Sequence, residues 1–201
     1  MDRINRLARR LPVWAVWLAG ALPAALLIAA AAGNRLGVDP VKALEHELGL
    51  WALRFLLASL AVTPLMRLGL RLMKFRRALG LLGFVYVLAH FAVWIALDMG
   101  LRWGQIAEDL WKRPYILVGF AGLLMLIPLA VTSSDGALRR MGAAAWRRLH
   151  RLAYPAIALG AVHFVMIGKV WTAESLIYLA ITGGLLAVRL LPRPGRRLQT
   201  T

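Results

Sequence analysis

The chain contains no cysteine. That absence excludes disulfides, iron–sulfur clusters, thiolate-ligated haem and cysteine nucleophiles together. Any bound metal must therefore be held by His, Met, Tyr or carboxylate side chains. Carboxylates are scarce too: 9 Asp+Glu stand against 25 Lys+Arg in 201 residues, a formal net charge of +16. Charged residues of both signs make up only 17% of the chain, below the roughly 25% of a soluble domain. Apolar residues reach 61% and the mean hydropathy is +0.68. This composition excludes a soluble fold. The basic excess does not point to nucleic acid, because the Lys and Arg residues fall in short clusters between apolar runs.

The apolar runs predict an all-α, polytopic membrane helix bundle. Each membrane helix needs about 20 mostly apolar residues, so one domain spanning residues 1–201 has room for six. The uncharged runs place spans at about 11–32, 48–66, 78–97, 114–134, 151–168 and 175–191. Arg54 and Arg189 lie near span ends, where long basic side chains snorkel to the headgroups. The runs are too long and too uniformly apolar for barrel strands. Arg3, Arg6, Arg9 and Arg10 before the first run imitate a secretory signal, but the run exceeds the roughly 7–15 residues of a signal core, so a retained span is expected.

Short-loop charges orient the bundle. One set of loops holds Arg3, Arg6, Arg9, Arg10, Arg67, Arg71, Lys74, Arg76, Arg77, Arg139, Arg140, Arg147, Arg148, Arg151, Arg189, Arg193, Arg196 and Arg197. The other holds only Arg35, Lys42, Arg54, Arg102, Lys112, Arg113 and Lys169, and most of the acidic residues. Both termini are therefore expected on the cytoplasmic side.

Four histidines are present. His46, between Glu45 and Glu47, reads as a solvated loop residue. His90 and His163 interrupt apolar spans, and an ionisable group within a membrane span marks a functional site. His90 lies roughly 10 Å from the outer end of span three and His163 roughly 9 Å from that of span five, at 1.5 Å per residue. Both spans run from inside to outside, so the two imidazoles can meet at one depth. Two neutral imidazoles in apolar surroundings, in a chain without cysteine, are the ligand set of a six-coordinate b-type haem. His150 lies at the cytoplasmic boundary, about 20 Å along the helix axis from His163 and turned from it by about 220°. No histidine at the inner end of span three partners it, so the residues by themselves do not support a second bis-histidine haem. Gly80, Gly83, Gly119, Gly122, Gly183 and Gly184 read as close-packing positions.

Arg76-Arg77-Ala78-Leu79-Gly80-Leu81 leading to His90, and Leu149-His150-Arg151-Leu152-Ala153-Tyr154-Pro155 leading to His163, carry a family resemblance. With the order and length of the spans, they make the chain similar to the haem-binding membrane subunit of the bacterial protein-methionine-sulfoxide reductase system. That family lies within the ferric-reductase-like transmembrane group, which includes the membrane part of NADPH oxidases. The resemblance implies an inner-membrane electron carrier with b-type haem at His90, His163 and His150, and a flavin mononucleotide (FMN). It further implies that electrons come from a cytoplasmic flavin reductase or the quinone pool. They would pass to a periplasmic molybdenum-containing subunit that reduces methionine sulfoxide in oxidised envelope proteins. The oxidase relatives carry two histidines on the third span, and here Arg76 or Arg77 stands near the inner position, which leaves one haem expected and a second open. The chain has no dinucleotide-binding glycine pattern.

Other readings of the same residues are a quinol-linked cytochrome b or a metal reductase, with the same haem and a different acceptor. A non-redox reading is a transporter using His90 and His163 as a proton relay. Against the transporter stand the lack of Asp or Glu inside spans three to six and the absence of an inverted repeat. A flavin phosphate would prefer Arg139-Arg140, Arg147–Arg151 or the Arg193–Arg197 tail, but positive-inside topology accounts for the same arginines, so no flavin ligand is assigned.

Overall fold

A computed structural model describes residues 2–168 and 170–191, and within them the chain is helical with no strand. Lys169 and Arg193, Arg196 and Arg197, which contribute to the loop-charge pattern, lie outside the described residues. The helices are α1 (Asp2–Arg10), α2 (Val13–Ala32), α3 (Pro40–Arg67), α4 (Met73–Val93), α5 (Trp103–Lys112) and α6 (Pro114–Val131). They continue with α7 (Asp135–Met141), α8 (Ala143–Leu149), α9 (Ala153–Ile167) and α10 (Ala173–Leu190). A π turn, Trp94–Asp98, extends α4, and a 3₁₀ turn, His150–Leu152, joins α8 to α9.

Five stretches among the described residues are long and apolar enough to cross a membrane: Val13–Ala32, Pro40–Arg67, Met73–Asp98, Pro114–Val131 and Ala143–Ile167. They coincide with the first five expected spans. The sixth expected stretch, 175–191, forms the helix α10, which packs on α9 and carries Glu174 in its first turn and Arg189 in its last; it is not among these five.

Two boundaries differ from expectation. The second helix begins at Pro40 rather than near Leu48, because Asp39 caps it: its carboxylate accepts from the backbone N–H of Lys42 at 3.0 Å and Pro40 occupies the first turn. His46 is therefore a helical residue, exposed on α3, and not a loop residue. Charge near the start of the helix had hidden this extra length. The fifth hydrophobic stretch likewise starts in α8 and passes through the 3₁₀ turn at His150.

The core lies between α3, α6 and α9, where Leu53, Leu57, Leu60, Leu126, Ile157 and Ala161 are buried. The α3–α4 hairpin is the most extensive helix pair, and Gly83 lets it close: a Cβ there would lie 2.7 Å from Leu56. The first span packs through Ala24 and Leu27 on a second cluster, Leu48, Ala52 and Tyr86, and a polar wedge ties it there. The buried Tyr86 hydroxyl donates to the Gly20 carbonyl at 2.7 Å and accepts from the Ala24 N–H at 2.9 Å. These two groups would otherwise bond each other within α2, beside Pro23. Amphipathic α1 is tied to the α3–α4 turn, with the Asn5 side chain donating to Gly69 O and accepting from Arg71 N.

Candidate functional site

Four helices, α3, α4, α6 and α9, surround a cavity of about 430 Å³, within the usual range for small-ligand sites. Its depth is apolar, with Leu56, Phe91, Phe120, Leu126 and Phe164 among the lining residues; one end is polar, with Lys42, Glu45, Asp98 and Arg113. Lys42 links that end together. Its ammonium donates to Asp98 at 2.7 Å and lies 3.5 Å from Glu45 Oε2, a buried oxygen without a hydrogen bond. Asp109 holds Arg113 in the same way, at 3.2 Å.

His90 from α4 and His163 from α9 both line the cavity, half-buried, with ring centroids 6.2 Å apart and planes crossed at 78°. Each Nδ1 is bound to a backbone carbonyl of a neighbouring helix: His90 to Glu45 O at 2.8 Å, and His163 to Tyr115 O at 2.7 Å. A carbonyl oxygen only accepts, so each Nδ1 carries the proton and each Nε2 keeps its lone pair. Neither Nε2 has a hydrogen-bond partner among the described residues. Fixing a ligand imidazole through its other nitrogen is the usual arrangement around a bound metal.

A glycine makes each of these contacts possible. Gly49 follows Glu45 by one helical turn, and Gly119 follows Tyr115 in the same way. A Cβ on Gly49 would lie 3.0 Å from His90 Nδ1, and one on Gly119 would lie 2.8 Å from His163 Nδ1. Any side chain at either position would press on the ring.

The donor set defines what could be held. Two imidazoles whose Nε2 atoms faced one metal from opposite sides, through bonds of about 2.0–2.1 Å, would have ring centroids roughly 6 Å apart, close to the 6.2 Å between these rings. No group of three or more His, Cys, Asp or Glu that could hold a metal ion exists among the described residues. A metal bound by these two nitrogens must therefore bring its remaining ligands with it. A metallomacrocycle with an apolar body meets that requirement in an apolar cavity between crossed imidazoles.

His150 stands apart. It does not line the cavity; its ring stacks on Trp146 at 3.7 Å between centroids. The Thr132 hydroxyl donates its one hydrogen to Pro128 O at 2.6 Å, so at 3.1 Å from His150 Nε2 it accepts. His150 is thus held with the proton on Nε2, the tautomer opposite to that of His90 and His163. The structure brings His90 and His163 together and leaves His150 on a separate contact set.

Sequence reasoning found the pair of histidines but missed their supports. Glu45 and Tyr115 act through backbone oxygens, which no side-chain pattern reports. Gly49 was not singled out, and Gly119 was read as a packing position. The available signal was a glycine one turn after a residue at the polar end of a span, present on both α3 and α6.

Comparison with known proteins identifies the family. The family model described as ferric reductase like transmembrane component matches residues 48–161. A protein of Brucella anthropi named protein-methionine-sulfoxide reductase heme-binding subunit MsrQ is 47% identical over 186 residues, covering 92% of this chain and 84% of its own. Proteins of the same name from Brucella ovis and Brucella canis are each 48% identical over 179 residues, covering 89% of this chain and 81% of theirs. No solved structure shows a significant match. The chain belongs to the MsrQ family of ferric-reductase-like transmembrane proteins.

Proposed function

We propose that the chain is the haem-binding, electron-transferring membrane subunit of a methionine sulfoxide reductase system. The observation that carries this reading is the His90–His163 pair: two imidazoles 6.2 Å apart, each with Nδ1–H on a backbone carbonyl and Nε2 free, in an apolar cavity. The relatives' name supplies the ligand class. In this reading His90 and His163 hold the iron of one b-type haem, and His150 belongs to the entry side for electrons, where a second haem stays open. Bound haem supplies a one-electron ferric/ferrous couple.

The protein's own residues do the rest. Glu45 and Tyr115 orient the ligands, the phenylalanines and leucines keep water from the cavity, and Lys42 and Arg113 close its polar end. The chain is one domain, with α10 as the sixth span, both termini in the cytoplasm, in a bacterial inner membrane. The polar end of the cavity then faces the periplasm. Electrons enter from a cytoplasmic flavin reductase or the quinone pool and leave to a periplasmic molybdenum-containing subunit that reduces methionine sulfoxide. The FMN implied by family resemblance has its best charge complement in Arg139-Arg140 and Arg147–Arg151; the Arg193–Arg197 tail lies outside the described residues. The His-relay alternative is disfavoured because both Nδ1–H groups are held by backbone carbonyls, which pass no proton onward.

The test is ligation. His90→Ala and His163→Ala should each lose most of the haem, since each removes one of the two nitrogens that would hold the iron and leaves a gap in an apolar cavity. Full haem content with an unchanged low-spin spectrum in both variants would overturn the reading.

A further inference from the structure

The cavity contains one support built twice. On α3, Glu45 and Gly49 stand one turn apart and receive His90 from α4. On α6, Tyr115 and Gly119 stand one turn apart and receive His163 from α9. In a helix each of these carbonyls already accepts the N–H of the glycine that follows it by one turn. The imidazole takes the second lone pair of the same oxygen. It reaches that oxygen only by lying across the position of the missing Cβ: at Gly49 a Cβ would stand 3.3 Å from His90 Cε1, and at Gly119 2.9 Å from His163 Cε1.

Each ring is consequently held at two points, its own Cβ on one helix and a carbonyl on another. Rotation about the axis through Nε2 is not free. The two holding carbonyls belong to different helices, α3 and α6, and the ring planes are crossed at 78°. Packing does not demand this angle, because aromatic pairs at such separations adopt offset-stacked arrangements equally well.

We propose that Gly49 and Gly119 are positioning residues that lock the two iron ligands with their planes nearly perpendicular. The inference rests on the bis-histidine haem reading and adds to it the orientation of the ligands and the residues that impose it. The consequence is electronic. In a haem held by this pair, parallel imidazole planes would split the two iron dπ orbitals that extend above and below the ring toward the imidazole π systems, and the ferric ion would show a rhombic low-spin resonance. Crossed planes act on both orbitals alike and leave them nearly degenerate. The resonance is then dominated by one large g value.

The experiment is low-temperature electron paramagnetic resonance of the full chain, purified with its haem in detergent, beside Gly49→Ala, Gly119→Ala, His90→Ala and His163→Ala. The expected wild-type spectrum is the large-g, highly anisotropic low-spin form. Gly119→Ala should displace it the more strongly, toward a rhombic or high-spin signal. Gly49→Ala should do so less, in the order of their 2.8 Å and 3.0 Å approaches to the rings. A midpoint-potential titration of the same samples should move with the spectrum. A rhombic wild-type signal characteristic of parallel planes would overturn the proposal while leaving bis-histidine ligation intact. So would spectra and potentials unchanged in both glycine variants. A wild-type chain without haem, or haem retained with a low-spin spectrum in both histidine variants, would instead remove the reading beneath it. The wild-type spectrum decides the plane angle even where a glycine variant fails to fold.

Discussion

Arg189 supplies Leu60 with the hydrogen bond that Pro64 withholds. Its Nη2 donates to the Leu60 carbonyl oxygen at 2.6 Å, one helical turn before Pro64, which has no N–H to offer that oxygen. Its Nη1 donates to the Tyr154 hydroxyl at 2.9 Å, and the guanidinium lies 4.9 Å from the centre of that ring. One basic side chain near the end of α10 thereby joins α3, α9 and α10. A charge that snorkelling to headgroups would have accounted for is a structural tie.

Arg189→Leu should lower stability in detergent by about 1–3 kcal/mol, the cost of a carbonyl left without a partner. Pro64→Ala restores a backbone donor to Leu60, so Arg189→Leu should cost less in the Pro64→Ala background. A double-mutant cycle on unfolding midpoints measures this coupling. Strict additivity would show that the Leu60 contact contributes nothing.

Tyr86→Phe removes the hydroxyl that stands between Gly20 O and Ala24 N–H. The expected loss is about 0.6 kcal/mol, the average for hydrogen bonds between membrane helices, and no more than about 1.7 kcal/mol, their maximum. A thermal melt is sufficient to test it. A variant as stable as the wild type would mean that α2 closes its own turn there at no cost.

Reporter fusions test the orientation on which the electron path depends. Fusions in the α3–α4 turn, at Leu70 to Leu72, should report cytoplasm, and fusions in α5 should report periplasm, following the distribution of Lys and Arg. A fusion after Thr201 should report cytoplasm, which requires α10 to cross. A periplasmic C-terminus would leave five crossings and remove α10 from the membrane.

His150→Ala should leave the haem of the His90–His163 cavity in place and reducible by dithionite, because His150 does not line that cavity and its Nε2–H is given to Thr132. Reduction by NAD(P)H through a cytoplasmic flavin reductase should slow. Loss of all haem would make His150 a ligand of the main site; unchanged enzymatic reduction would make it a boundary residue stacked on Trp146.

The sequence by itself determined the class of fold and pointed to the pair of histidines. Apolar runs of membrane length leave the backbone no way to satisfy its hydrogen bonds except as helices, so the first five spans coincide with apolar helices in the structure. Absent cysteine and two ionisable residues at matched depth pointed to His90 and His163, which the structure brings together, because helical rise converts sequence position directly into depth. What tertiary structure decided is everything that depends on which helix faces which. Asp39 carried α3 outward to Pro40 and placed Glu45 beside His90, a contact across 45 residues. The tautomers of His90, His163 and His150 were invisible in sequence, since each is imposed by an acceptor on another element: Glu45 O, Tyr115 O and the Thr132 hydroxyl. Gly49 and Gly119 were indistinguishable from packing glycines, because the space left by a missing Cβ acquires a function only when the fold lays a ring across it.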